Sequence, residues 1–140
     1  MSENFKVLTQ FVKDLSSETP DVETYLYVKD YLPNYNLNID ITSKAIKNMM
    51  IEVNTKLTFK DKGNSKKKSF FEITYVSIVK INENVKDRKE IERIILCDVQ
   101  NEIYPDLEKK FENLLNNSCY QCIKFQKKID FEKLYNQRIN

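Results

Sequence analysis

From Asn48 to Ile81 the chain holds two alternating runs joined by a lysine-rich turn, and this pair limits the fold more than any other stretch. In the first run, Met49, Ile51, Val53, Leu57 and Phe59 share one parity, with Thr55 its only polar member. Met50, Glu52, Asn54, Lys56 and Thr58 share the other. A period of two with one dry and one wet side predicts a half-buried antiparallel strand. In the second run, Ser69 to Ile81, the residues Phe71, Ile73, Tyr75, Val79 and Ile81 lie on one face. The opposite face begins polar with Glu72 and Thr74 and turns apolar at Val76 and Ile78, so part of it should be covered as well. Asp61-Lys62-Gly63-Asn64-Ser65 contains the only glycine of the chain and predicts the hairpin loop.

Around this hairpin the pattern predicts two further strands. Phe5, Val7, Thr9 and Phe11 alternate with Lys6, Leu8, Gln10 and Val12, giving a first strand that ends near Ser16. Ser17 to Asp21 then stops it at Pro20, which has no backbone donor. Val22 to Leu32 is rich in tyrosine without a clear period and is expected to be a crossover loop. Tyr35 to Ile41 alternates and predicts a second strand, after which Thr42 to Lys47 turns into the hairpin. Beyond Ile81 the period becomes helical. Ile91, Ile94, Ile95, Val99 and Ile103 lead to a break at Pro105, and Leu107, Phe111, Leu114 and Leu115 resume the stripe to about Asn116. This predicts one long kinked helix or two short ones. Cys119 to Phe125 is expected to be a short extended return, and Asp130 the N-cap of a last helix carrying Phe131, Leu134 and Tyr135. Four strands followed by helices predict an α+β fold: a single domain over residues 1–140, its antiparallel sheet covered on one face by the helices.

The chemistry available is narrow. There is no histidine, which removes the commonest general base and zinc ligand, and one glycine cannot make a glycine-rich phosphate loop. Asp14, Glu18 and Glu72 can gather on the polar sheet face, but no pocket or positioning group accompanies them. Cys119-x-x-Cys122 lacks the further ligands of a zinc site, and with Cys97 it forms an odd set of thiols expected to be reduced. Lys66, Lys67 and Lys68, with Lys60 and Lys62, fit a solvated hairpin tip better than a phosphate contact, and the net charge is only +2. No apolar run approaches the ~20 residues of a membrane span. The start Met1-Ser2-Glu3-Asn4 has no basic head or apolar stretch of a signal peptide. A cytoplasmic protein is expected, with no catalytic residue, no cofactor, no metal, no nucleic acid and no membrane insertion. What is left over is aromatic: Tyr25, Tyr27, Tyr31, Tyr75, Phe131 and Tyr135 exceed the evident needs of a core this size.

Several of these segments resemble the SecB export chaperones. Phe11-Val12-Lys13-Asp14-Leu15-Ser16-Ser17-Glu18-Thr19-Pro20 is similar to that family's aromatic-x-Lys-Asp-Leu/Ile-Ser-x-Glu-x-Pro signature. Lys29-Asp30-Tyr31-Leu32-Pro33 and the alternating Leu37 to Asp40 look like its crossover loop and second strand. Asn101-Glu102-Ile103-Tyr104-Pro105 resembles its Asn-x-Leu-Phe-Pro element, and Ile129 to Tyr135 the start of its last helix. The departures are Val76-Ser77, where the family has glycines, and Glu108, where an arginine is usual. The resemblance implies a homotetramer, a dimer of dimers, that holds unfolded preproteins without ATP and passes them to the SecA motor. It implies that Asp14, Glu18, Phe70 and Glu72 form the face that docks SecA. It further implies that Phe71, Ile73 and Tyr75 lie on the opposite face, where packing between dimers and client binding are coupled. Tyr31, where the family usually has Trp, would contribute to a client groove with Tyr25, Tyr27, Phe131 and Tyr135. Two alternatives share the residues: a SecB-like chaperone dedicated to one partner such as an antitoxin, and a nucleic-acid-binding module using the lysine loop.

Overall fold

The computed structural model describes residues 4–61, 68–120 and 129–139. Its elements are β1 (Phe5–Glu18), α1 (Val22–Tyr31), a 3-10 turn (Leu32–Asn34), β2 (Asn36–Ala45), β3 (Met50–Lys60) and β4 (Phe70–Ile81). Then follow α2 (Arg88–Arg93), a π-helical turn (Ile94–Asp98), α3 (Val99–Asn117) and α4 (Phe131–Ile139). The strands form one antiparallel sheet in the order β1-β4-β3-β2, so the two runs of the hairpin are its centre and β1 and β2 its edges.

The two central strands take the predicted phase. Val53, Thr55, Leu57 and Phe59 of β3 and Phe71, Ile73, Tyr75, Val79 and Ile81 of β4 are buried on the inner face. On the outer face Glu72, Thr74 and Ile78 are half-buried, and Val76 is covered as expected. The inner face packs under the stripe Val99, Ile103, Leu107, Phe111 and Leu115, which recurs every four residues along α3. Phe111 meets Phe59 edge-on at 6.2 Å.

Five expectations are corrected. Val22 to Tyr31 is a helix, not a loop: Asp21 caps it by accepting from the Thr24 N–H at 2.8 Å. It therefore stands between the first and second strands. Met49 is not part of β3 but half-exposed in the turn before it, where Asn48 and Met49 both have positive φ. β2 runs on to Ala45, where a turn was expected from Thr42. Pro105 does not end the helix. It lies inside α3 on the exposed side, and the irregularity falls earlier, at the π-helical turn. In β1 the parity is not constant, because register shifts between Val7 and Thr9 and between Val12 and Asp14 each insert one residue. Phe5, Val7 and Val12 thus pack on the core, while Phe11 pairs with Val76 on the outer side.

Residues 62–67, which include Gly63 of the expected hairpin loop, and residues 121–128, which include Cys122, lie outside the described residues. Asp130 accepts from the Lys133 N–H at 3.1 Å, the cap expected for the last helix.

Candidate functional site

Among the described residues no group of His, Cys, Asp and Glu could hold a metal ion. Burial pushes the Cys97 thiol up from its ordinary value, so it stays protonated, and its Sγ donates to the Phe131 carbonyl at 3.6 Å. It is a packing residue, not a nucleophile. Three surfaces remain.

The first is the outward side of α1. Tyr27 and Tyr31, one turn apart, stack at 5.3 Å with 21° between rings, and are 40% and 39% exposed. Val22 and Leu26, also one turn apart, are 72% and 52% exposed. Four apolar or aromatic side chains on the wet side of a ten-residue helix are more than solubility favours. Tyr25, grouped with Tyr27 and Tyr31 in the sequence, serves differently. Its hydroxyl donates to the Cys119 carbonyl at 2.6 Å and its ring lies 5.1 Å from Tyr120. Tyr120, Thr19 and Ser69 bond one another through their hydroxyls at 2.7–2.8 Å, and the Ser69 N–H donates to the Tyr35 hydroxyl. This polar knot ties the start of the crossover, the start of β4 and the end of α3 together.

The second is a groove along the free edge of β2. Ile39, Ile41, Leu96, Phe131, Leu134 and Tyr135 line about 160 Å³ between that strand and α4. A wider recess of about 530 Å³ continues from Ile41 and Leu96 towards Thr42, Arg88 and Ile91. Phe131 and Tyr135 anchor α4 from within, Phe131 edge-on to Tyr104 at 5.3 Å, and Leu134 faces out.

The third is the outer sheet face. The register sets Glu18 opposite Phe70, Ser16 opposite Glu72 and Asp14 opposite Thr74, so Asp14, Glu18, Phe70 and Glu72 do share one face. Lys56 stands across from Thr74, with Asp40 on its other side. Lys56 Nζ pairs with Glu72 Oε1 at 2.8 Å. That bond and charge, with smaller contributions from Asp40 and Asp14, push the lysine pKa up. The carboxylates therefore surround a cation of the same chain.

Phe71, Ile73 and Tyr75 are placed otherwise than a client surface requires. They are 0%, 0% and 1% exposed, sealed within this one chain. Phe71 packs edge-on to Tyr120, and the Tyr75 hydroxyl donates to Asp106 Oδ2 at 2.5 Å. Sequence reasoning missed Val22, Leu26, Lys56 and the groove residues Ile39, Ile41 and Leu96. The spacing of Val22 and Leu26 was a signal, once the stretch is taken as a helix.

A family model described as preprotein translocase subunit SecB matches residues 1–140. A Pelagibacter ubique protein named as a candidate protein-export protein SecB is 61% identical over 100% of both chains. The protein-export protein SecB of Parvibaculum lavamentivorans is 27% identical over 95% of this chain and 77% of its own. Among solved structures, a Mycobacterium tuberculosis SecB-like chaperone in complex with a ChAD peptide from an antitoxin has the same fold. Its TM-score is 0.67, with 9% identity over 89% of this chain and 91% of that one.

Proposed function

The chain belongs to the SecB family, and from that premise we propose that it is an ATP-independent holdase of the cytoplasm, binding unfolded preproteins and keeping them competent for SecA-driven export. The observation that carries this is the stacked, half-exposed pair Tyr27 and Tyr31 on a helix that also turns Val22 and Leu26 outward, beside the charged Glu23, Lys29 and Asp30. A holdase needs adaptable apolar surface more than a reactive centre, because the segments it meets differ in sequence and share only their tendency to aggregate. Tyr27 and Tyr31 take client side chains, and the groove of Ile39, Ile41, Leu96 and Leu134, walled by Phe131 and Tyr135, takes an extended segment beside β2. Phe71, Ile73, Tyr75 and Tyr25 support these surfaces from behind.

Asp14, Glu18, Phe70 and Glu72 form the SecA-docking face. Subunits assemble as a dimer of dimers, a proposal supported by edge strand β1, on which Leu8, Phe11 and Leu15 are 44%, 48% and 52% exposed. The test is light scattering of a refolding client without ATP. Suppression at about one tetramer per client, lost when Tyr27 and Tyr31 are both alanine, is the expected result. Undiminished aggregation at any ratio would overturn the holdase assignment.

A further inference from the structure

Gln100 lies on the inner side of α3 with 0% exposure, a primary amide in an apolar core. Its Oε1 accepts from Thr55 Oγ1 at 2.9 Å, and its Nε2 donates to the Ile95 carbonyl at 3.2 Å. Thr55, the polar member of the dry face of β3, is also 0% exposed. Polar groups persist at such depth only when bonded, so the pair joins helix to sheet in a fixed position.

The carbonyl at the far end of this bridge belongs to the π-helical turn, where the Val99 N–H reaches back five residues to the Ile94 carbonyl. A π turn holds one residue more than an α turn, and so offsets the preceding helix by about 100° around the axis. Four successive residues, Ile94 to Cys97, are buried as a result, where a regular α-helix with one inner stripe would turn some of them out. Leu96 lines the groove beneath α4, and the Cys97 thiol bonds the first residue of that helix. The π turn is the seat of α4.

We propose that Gln100 is a positioning residue for α4: its amide holds the π turn open, and Thr55 anchors that amide to the sheet. Without it the turn relaxes towards regular helix, Leu96 and Cys97 rotate from the seat, and α4 leaves the groove more often. Only the link from α4 to clients rests on the holdase assignment; the seat itself is a property of the folded chain.

Three variants of the full chain test this by amide hydrogen exchange without client: Thr55→Val, Gln100→Leu and the double substitution. Thr55→Val keeps the bond to Ile95 but unties the amide from the sheet, so α4 exchanges only slightly faster relative to β4, and by less than in Gln100→Leu. Gln100→Leu strands the Thr55 hydroxyl and frees the π turn, so α4 exchanges about five- to tenfold faster than β4 does after the same change. The double variant removes both buried polar partners, so its thermal midpoint recovers while α4 remains fast. Parental protection of α4 in the double variant would overturn the proposal. So would equal acceleration of α4 and β4 in all three, the mark of fold-wide weakening. A parent protein that binds no client, with these exchange results standing, would refute the holdase assignment alone.

Discussion

Replacing Tyr27 and Tyr31 together by alanine separates binding from folding. An aromatic side chain buries ~150–250 Å² when fully covered. With 40% and 39% of the two tyrosines exposed, a client can cover roughly 120–200 Å² of the pair. At ~25 cal/mol per Å² that is about 3–5 kcal/mol, and ordering two side chains takes back about 1–3 kcal/mol. A net loss near 2 kcal/mol corresponds to affinity weakened about 30-fold. Folding loses the stacking of one ring on the other and the packing of the covered part of each, together about 2–4 kcal/mol, so affinity is compared at a temperature where the variant is still folded. The chain has no tryptophan, so an unfolded client with a single tryptophan reports binding by fluorescence without background. Parental affinity in the double variant would refute the assignment of this surface. A fall in stability large enough to account for the lost affinity would refute the separation of the two roles.

Other consequences concern the core, the pH response and the outer face. Phe111→Ala empties a site with 0% exposure between α3 and Phe59. It should cost about 3–5 kcal/mol in urea unfolding, and a loss below about 1.5 kcal/mol would show that the stripe does not bear the packing. The Asp106 carboxyl is held below its ordinary value, first by the Tyr75 hydroxyl and then by Lys110. Its stabilisation is complete above the unfolded pKa of about 3.9 and is lost as pH falls through the lower folded value. Asp106→Asn should therefore flatten the dependence of stability on pH below about 4, and an unchanged slope would remove the bond from the account. Because Lys56 sits among the outer carboxylates, Lys56→Gln should leave the unfolding midpoint unchanged and tighten docking of a cationic partner at low salt. Glu72→Gln should weaken it, and equal binding by both variants would detach docking from this face.

The sheet's phase was legible because β3 and β4 are central and each has one face pressed on helices, which writes the period of two into the residues themselves. β1 was legible as a strand but not in its facing. Its two inserted residues are defined only against β4, and no pattern within β1 marks them. The helix α1 escaped because Val22, Leu26, Tyr27 and Tyr31 stand outward among the charged Glu23, Lys29 and Asp30, which blurs the one-sided stripe that announces a surface helix. Pro105 suggested a break because the missing donor is visible in sequence, whereas the solvated side on which it falls is not. Of the candidate site, Asp14 and Glu18 lie in the stretch that resembles the family's signature, Phe70 and Glu72 were implied by that resemblance, and the four do meet on one face. Lys56 and Gln100 were invisible, since each gains its meaning from a partner on another strand or 45 residues away.

The blurred pattern of α1 bears directly on what the helix is for. Ten residues are too few to hold a helix in water unaided, so something else must fix it. The Asp21 cap, the buried Val28 and Leu32, and Tyr25 bonded to Cys119 and packed on Tyr120 do so from the inner side and the two ends. None of that anchorage uses Val22 or Leu26, and the ring pair Tyr27 and Tyr31 is only half engaged. Polar residues at Val22 and Leu26 would serve folding as well and solubility better, whereas at Tyr27 and Tyr31 they would forfeit the stacking and the covered part of each ring. The outward apolar character of the four is what the proposed client surface requires.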